Sequence, residues 1–96
     1  MGETVLTENP KHPGKTYSVD AVKFAAMRAA MLEALPDEAP GLAVPALKAA
    51  LLPLLPETLF PGGATAGWWL KCVQLDLEAK GAIVRAAGSP VRLRRC

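Results

Sequence analysis

Residues 67–81 read GWWLKCVQLDLEAKG, and residues 82–95 continue AIVRAAGSPVRLRR; these two stretches predict the fold class. The first stretch has apolar residues at helical spacing and ends in glycine, the residue that most often follows the last turn of a helix. It therefore predicts a helix over residues 64–80, with Gly81 as its C-cap.

The stretch that follows this helix predicts a basic β-hairpin. Two short strands over residues 82–87 and 91–95 are rich in apolar and β-branched residues, and a glycine–serine pair suits the tight turn between them. Residues 61–96 carry six cations and two anions, whereas residues 1–60 carry five cations and seven anions. An anionic partner would therefore meet the C-terminal third of the chain.

Upstream of these elements the sequence predicts two further helices. Ser18 is a suitable N-cap for a helix over residues 19–35, which ends before Pro36 because the residue preceding a proline disfavours the helical conformation. A short second helix begins near Pro45, a residue that suits the first helical position. A small strand near 42–44 lies between these two helices and would pair with the C-terminal hairpin.

The domain organisation follows from length and from the prolines. Residues 1–17 hold two prolines and little periodicity, so we interpret them as an N-terminal arm or loop. Residues 18–96 form a single domain, because a chain of 96 residues has surface enough for only one core. Pro53, Pro56 and Pro61 limit the connection before the third helix to a single helical turn. The fold class is mainly α with a C-terminal β-hairpin, an α+β domain.

The order of three helices followed by a basic hairpin resembles that of winged helix-turn-helix regulators. The stretch LDLEAKGAIVR, residues 75–85, is similar to the junction of recognition helix and wing in those proteins. The chain also resembles an uncharacterised bacterial family of small proteins, through HPGKTYSVDAVKFAAMRAAMLEALP (12–36) and FPGGATAGWWLKCVQLDLEAKG (60–81). The winged-helix resemblance implies that the third helix enters the major groove of double-stranded DNA and that the hairpin touches its backbone or minor groove.

The first functional hypothesis is weak, salt-sensitive binding of DNA through its phosphates. On the third helix, Lys71 would meet guanine or phosphate and Gln74 would pair with adenine, whereas Glu78 would repel phosphate. The hairpin is the better candidate, because guanidinium groups hold phosphate through two hydrogen bonds. Its cations are Arg85, Arg92, Arg94 and Arg95. A charged, solvated edge strand is the alternative interpretation of these arginines.

The second hypothesis is a protein–protein or dimerisation module. The third helix has two apolar stripes, one containing Trp69 and the other Trp68 and Leu75, so another element or subunit must cover the second stripe. We expect Trp69 in the core and Trp68 in the core or an interface, with base stacking as a third role. The small residues of the first helix would let a second helix approach closely, from this chain or from a twin. The interface candidates are Trp68, Leu75, Ala26, Ala29 and Ala30.

The chain offers little for catalysis or for metal binding. Its one histidine, His12, has no second histidine or nearby carboxylate to help it bind a metal or act as a base. The GKT at 14–16 resembles the end of a phosphate-binding loop, but Asn9 stands where that motif has glycine. We predict no enzyme activity, no cofactor, no metal and no small-molecule substrate.

The same composition predicts the compartment. No stretch reaches the roughly 18 apolar residues of a membrane span, and the N-terminus lacks the apolar centre of a signal peptide. Two cysteines without an export signal indicate a reducing compartment. We therefore expect a cytoplasmic protein with no membrane partner, in which Cys72 packs inside the third helix and Cys96 is an exposed thiol.

Overall fold

A computed structural model describes residues 3–86, 88 and 90–95 of the chain. In this part of the chain there are three α-helices and two small antiparallel sheets. The elements are β1 (Thr4–Glu8), β2 (Thr16–Asp20), α1 (Ala21–Ala34), β3 (Leu42–Ala43), α2 (Val44–Leu51), α3 (Ala66–Ala79), β4 (Ile83–Arg85) and β5 (Arg92–Arg95). Two 3₁₀ turns lie between α2 and α3, at Leu52–Leu54 and Pro61–Gly63, one more than the single turn that the prolines predicted. The predicted α+β class with three helices and a C-terminal hairpin is confirmed.

The N-terminal residues form a hairpin, so their interpretation as an arm or loop over residues 1–17 is wrong. β1 pairs with β2 antiparallel, with Val5 opposite Val19 and Thr7 opposite Tyr17. Each strand has only five residues, and an isolated two-stranded ribbon is at best marginally stable in water. The hairpin depends on contacts with α3, which a local sequence pattern does not reveal.

The cap of α1 is Asp20 and not Ser18, which lies in β2. The Asp20 carboxylate accepts hydrogen bonds from the amides of Val22 at 2.9 Å and Lys23 at 3.0 Å. The helix begins at Ala21, two residues later than predicted, because β2 keeps the chain extended as far as the cap.

The second sheet has the strand order β3-β5-β4. Leu42 of β3 pairs with Leu93 of β5, and Val84 of β4 pairs with Arg94. The predicted strand near 42–44 and the predicted hairpin are therefore confirmed, although β4 is shorter than the range 82–87. Two residues of the predicted hairpin, Ala87 and Ser89, lie outside the described residues. Cys96, the predicted exposed thiol, also lies outside them.

The core contains side chains from all three helices and from both strands of the C-terminal hairpin. Its fully buried members include Met27, Met31, Leu47, Leu51, Phe60, Val73, Leu77 and Leu93. Trp69 is 7% exposed and belongs to this core, which confirms its predicted place. Leu93 points inward from β5, as strand alternation predicts. α3 begins two residues later than predicted, and its C-cap is Lys80, one residue before Gly81.

Candidate binding surfaces around the third helix

Asp76 ties the N-terminal hairpin to α3. Its side chain is 1% exposed, and Oδ1 accepts a hydrogen bond from the Glu8 amide at 2.9 Å. Oδ2 accepts one from Lys80 Nζ at 3.0 Å, so both carboxylate oxygens have partners. The sequence signal for this role was an acidic residue between two leucines of one helix, since a buried carboxylate needs donors.

We expect Asp76→Ala to lower the free energy of unfolding by about 2–3 kcal/mol, because it leaves the Glu8 amide without an acceptor. The hairpin amides should also exchange faster with deuterium than those of α2. Lys80→Ala removes the other donor to the same buried carboxylate, so it should also lower the free energy of unfolding. It leaves the Glu8 hydrogen bond in place and should not speed exchange at the amides of the N-terminal hairpin. Equally fast exchange at these amides in the two variants would contradict the anchoring role of Asp76.

An open groove of about 260 Å³ lies between the N-terminal hairpin and α3. We call it the aromatic groove; its main residues are Thr7, Tyr17 and Val19 of the hairpin and Trp68, Lys71, Cys72 and Leu75 of α3. The aromatic side chains on its two sides are open to solvent, with Trp68 59% exposed and Tyr17 46% exposed. Two of the predicted interface residues, Trp68 and Leu75, thus lie on one continuous surface.

The two adjacent tryptophans have opposite environments. Their ring centroids are 5.0 Å apart with an interplanar angle of 81°, an edge-to-face contact that supports the exposed indole of Trp68 on the buried indole of Trp69. The alternative that Trp68 lies in the core is wrong, because residues 66, 69, 70 and 73 occupy the core-facing side of α3. The interface and base-stacking roles of Trp68 stay predictions.

Cys72 is half-buried at the aromatic groove. Burial raises the pKa of the Cys72 thiol above its ordinary value of 9.0, and the charge of Asp76 raises that pKa further, against an opposing hydrogen bond with Thr7. The protonated thiol is therefore the favoured form in the folded state. Its contribution to stability is complete below about pH 9 and is lost as the pH rises through the folded pKa.

We expect Cys72 to react slowly with iodoacetamide at pH 8, because the thiolate is the reactive form. The measurement is the alkylation rate against pH in Cys96→Ser protein, which leaves Cys72 as the one thiol. The midpoint of this profile should lie at higher pH in the folded protein than in the same protein in urea. A folded midpoint at or below the unfolded one would contradict the environment described for this thiol.

Glu78 engages two of the residues predicted to contact DNA. Its carboxylate accepts hydrogen bonds from Arg85 Nε at 2.8 Å, Arg85 Nη2 at 3.1 Å and Gln74 Nε2 at 3.1 Å. The hydrogen bond to Glu78 raises the pKa of the Arg85 guanidinium. Gln74 is 1% exposed, so its amide faces the protein instead of a base edge. Of the polar residues predicted on α3, Lys71 is exposed and points to solvent.

A second depression, of about 200 Å³, lies between α2, α3 and β4. We call it the basic depression, because Lys48, Lys71 and Arg85 line it. A Cβ added to Gly67 would lie 3.5 Å from Lys48 Nζ, so this ammonium group rests against the first turn of α3. Lys48 was not among the predicted site residues, because in the sequence it is a single charged residue within an otherwise apolar helix.

The arginines of β5 are half-buried and differ in their partners. Arg95 Nε lies 2.8 Å from Asp37 Oδ1, an ion pair that lacks the alignment of a hydrogen bond. Arg94 Nη1 donates to the Arg95 carbonyl at 3.3 Å. Alternation along β5 places Arg92 and Arg94 on the face opposite the buried Leu93, as predicted.

The small residues of α1 do not form one open face. Ala30 is 3% exposed and packs in the core, so this chain's own elements cover it. Ala26 is half-buried against that core, and Ala29 is exposed. At Ala30, therefore, the elements that closely approach this face of α1 belong to the same chain.

The remaining predicted features lie on the hairpin loop. His12 is exposed there, and its amide donates to the Asn9 carbonyl at 3.0 Å.

Within residues 3–86, 88 and 90–95, no three His, Cys, Asp or Glu side chains are placed to hold a metal ion. In the same residues, none of the helices combines the length and the apolar character needed to cross a bilayer.

The fold and its surfaces define a small α+β protein with an aromatic groove and a basic depression on either side of one helix. The chain belongs to a family of unknown function, DUF6958, whose model matches residues 4–93. The match includes the N-terminal hairpin, so the hairpin is part of the family's domain. No curated protein and no solved structure matches the chain.

Proposed function

We propose that the chain has a winged-helix fold and acts as a protein-binding module through the aromatic groove. The fold is supported by the order α1, β3, α2, α3, β4, β5 and by the sheet order β3-β5-β4. A small strand between the first two helices pairs with the hairpin that follows the third helix. In this assignment α3 corresponds to the recognition helix, and β4 and β5 form the wing.

The exposed indole of Trp68 carries the functional proposal. A tryptophan that is 59% exposed beside an apolar groove leaves a large apolar area in water, and its full burial is worth about 2–3 kcal/mol. Aromatic side chains are enriched at protein interfaces, where they provide much of the binding energy. Tyr17 and Leu75 extend the same surface, which favours a polypeptide over a small polar ligand.

The hydrogen bonds of α3 argue against recognition of a base sequence as the main function. Gln74 and Arg85 both donate hydrogen bonds to the Glu78 carboxylate. A base contact by either donor would first require breaking these bonds, and charge-assisted hydrogen bonds are the stronger kind.

Site-specific photo-crosslinking in cells tests the protein-binding proposal. A benzophenone amino acid at position 71, on the edge of the aromatic groove, should give covalent protein adducts after irradiation. The matched control is position 54, because Leu54 is exposed but lines neither surface. Adducts from position 71 that exceed those from position 54 support the proposal. Equal or absent adducts would contradict it.

A second candidate function is binding to the DNA backbone through the basic depression. The favouring observation is that Lys48, Lys71 and Arg85 share one depression, while the nearby carboxylate of Glu78 is already paired with Arg85. Val91 also lines the depression, and it directly precedes Arg92 of the wing. Such a surface would bind phosphates without reading sequence, so its affinity would depend steeply on salt.

We expect Lys48→Ala/Lys71→Ala to weaken binding of random duplex DNA at least about tenfold at roughly 50 mM salt, because two phosphate contacts are lost. Fluorescence anisotropy at about 50 and 200 mM salt also gives the salt slope, which should become shallower by about two. Lys23→Ala/Arg28→Ala removes the same charge from α1 and should change affinity little. Arg92→Ala/Arg94→Ala tests the wing in the same assay. Unmeasurable binding of the unaltered protein at low salt would exclude this candidate.

A further inference from the structure

The outer edge of β2 is open. The sheet that contains β2 has the order β1-β2, so β2 has no strand partner on its other side among the described residues. Natural sheet edges are commonly protected from pairing by lysine, by proline or by a bulge. β2 reads TYSVD, which contains neither residue, and its register with β1 is regular over all five positions.

The hydrogen-bond pattern of the hairpin shows which backbone groups are available at this edge. The Ala21 amide donates to the Glu3 carbonyl at 2.8 Å, so Glu3 and Ala21 form a hydrogen-bonded pair. Hydrogen-bonded and non-hydrogen-bonded pairs alternate along an antiparallel ladder from that pair onward. By this alternation the backbone groups of Thr16, Ser18 and Asp20 point away from β1. The Glu8 amide should likewise point away from β2, and its bond to Asp76 agrees with this.

We propose that two copies of this chain dimerise by antiparallel pairing of their β2 strands, centred on Ser18. The result is a four-stranded sheet in which the two β2 strands are the inner pair. The proposal rests on the proposed protein-binding function, because it names the polypeptide that meets the aromatic groove. Thr16, Ser18 and Asp20 of each copy could exchange six backbone hydrogen bonds in this register. The Asp20 carbonyl already accepts the first bond of α1 as its N-cap, so about four would join the strands.

The register centred on Ser18 is complementary on the groove side of the sheet. It places Tyr17 of one copy opposite Val19 of the second copy, and this pair occurs twice by symmetry. An aromatic residue opposite a β-branched one is a favourable cross-strand pair. Tyr17 and Val19 both line the aromatic groove, so the added strand extends the sheet on the side that faces Trp68.

The outer face of the same register brings no like charges together. Asp20 is the one charged residue in β2, and it lies opposite Thr16 of the second copy. A five-residue strand is about 17 Å long, so the strand contact is small compared with stable interfaces, which bury about 1,200–2,000 Å². We therefore expect a dimer whose population depends on protein concentration.

Sedimentation equilibrium of the full chain from about 10 µM to 1 mM tests the dimer, since small interfaces dissociate in this range. The expected result is a reversible monomer–dimer equilibrium. Ser18→Pro should weaken association at least about tenfold, because it removes an outward amide at the centre of the interface. The hydrogen bonds between β1 and β2 do not use the Ser18 amide. Near-UV circular dichroism of the variant should match that of the unaltered protein.

A pair of substitutions at Thr16 tests the register itself. Thr16→Lys places a cation opposite Asp20 of the second copy and should tighten the dimer about threefold, whereas Thr16→Glu should weaken it about threefold. Net charge alone predicts the reverse order, because the chain already carries +2 and lysine adds to this self-repulsion.

The outcomes separate this inference from the function on which it rests. A chain that stays monomeric up to the highest concentration overturns the dimer, while adducts between position 71 and other proteins would still support the protein-binding function. A dimer that is indifferent to Ser18→Pro, or that follows net charge at position 16, overturns the pairing of β2 strands.

Discussion

Trp69→Ala lowers the free energy of unfolding by about 3–5 kcal/mol, whereas Trp68→Ala, one residue earlier, costs less than about 1 kcal/mol. Trp69 is 7% exposed, and its removal leaves a cavity between α3 and the rest of the core. Trp68 is 59% exposed, so little buried area is lost with it. A domain of this size has about 5–14 kcal/mol of stability in total, so the first variant loses a large fraction of it.

The measurement is urea unfolding followed by far-UV circular dichroism, at a protein concentration low enough to keep the chain monomeric. The two variants remove the same side chain from adjacent positions, so each serves as the control for the other. Equal midpoints would mean that the two indoles share the core. The aromatic groove would then lose the exposed side chain on which the protein-binding proposal depends.

Gly41→Ala costs more than about 3 kcal/mol, although it adds one methyl group. Gly41 has a φ of +95°, in the left-handed region that favours glycine. A Cβ at this position would overlap the backbone carbonyl of Leu93, and backbone cannot move aside as a side chain does. β5 would have to shift and would lose its pairing with β3, which begins at the next residue, Leu42.

Gly14→Ala is the matched control for this substitution. Gly14 has a similar φ of +86°, but no atom lies within 4 Å of an added Cβ. It should cost only the strain of a left-handed alanine, about 1–2 kcal/mol. The difference in thermal midpoint between the two variants isolates the contact with Leu93. Equal midpoints would contradict the close approach of the β3 connection to β5.

The C-terminal half of the fold was predictable because its elements are local. α3 has a continuous apolar face and ends next to Gly81. β4 contains Ile83 and Val84, and in β5 the buried Leu93 alternates with arginines. Even the two-residue strand β3 was predictable, since the segment follows a loop and precedes a proline-marked helix. The positions of Trp69 and Leu93 in the core follow from these same periodicities.

The N-terminal hairpin was not predictable by the same reasoning, because its stability comes from contacts distant in sequence. Glu8 and Asp76 are 68 residues apart, and their hydrogen bond holds the hairpin on α3. The shift of the helix cap from Ser18 to Asp20 is a consequence of that hairpin, since β2 extends through Ser18.

The candidate binding surfaces were likewise predictable only in part from the sequence. Helical spacing placed Lys71, Gln74 and Glu78 on one stripe, but it does not show that Gln74 and Arg85 both donate to Glu78. Spacing also divided Trp68 from Trp69 and placed Trp69 in the core, but it left open whether Trp68 lies in the core or at an interface. The contribution of Lys48 to the basic depression depends on how α2 packs against α3, which is a tertiary property.

The two candidate functions use opposite sides of α3 and do not exclude one another. The aromatic groove lies on the side of the N-terminal hairpin, and the basic depression lies on the side of α2 and β4, with Lys71 between them. A dimer formed through β2 would carry two basic depressions, and paired sites of this kind raise affinity for DNA when their spacing matches.

We expect the indole of Trp68 to be open to solvent in the isolated chain and covered by another polypeptide in the cell. The most direct test is ¹⁹F NMR of protein labelled with 5-fluorotryptophan, with Trp68→Phe to assign the two signals. In dilute purified protein, exchange of H₂O for D₂O should shift the Trp68 signal and leave that of Trp69 nearly unchanged. In intact cells we expect the Trp68 signal to lose this shift. A Trp68 signal with the same solvent shift in cells as in dilute solution would contradict the protein-binding function of the aromatic groove.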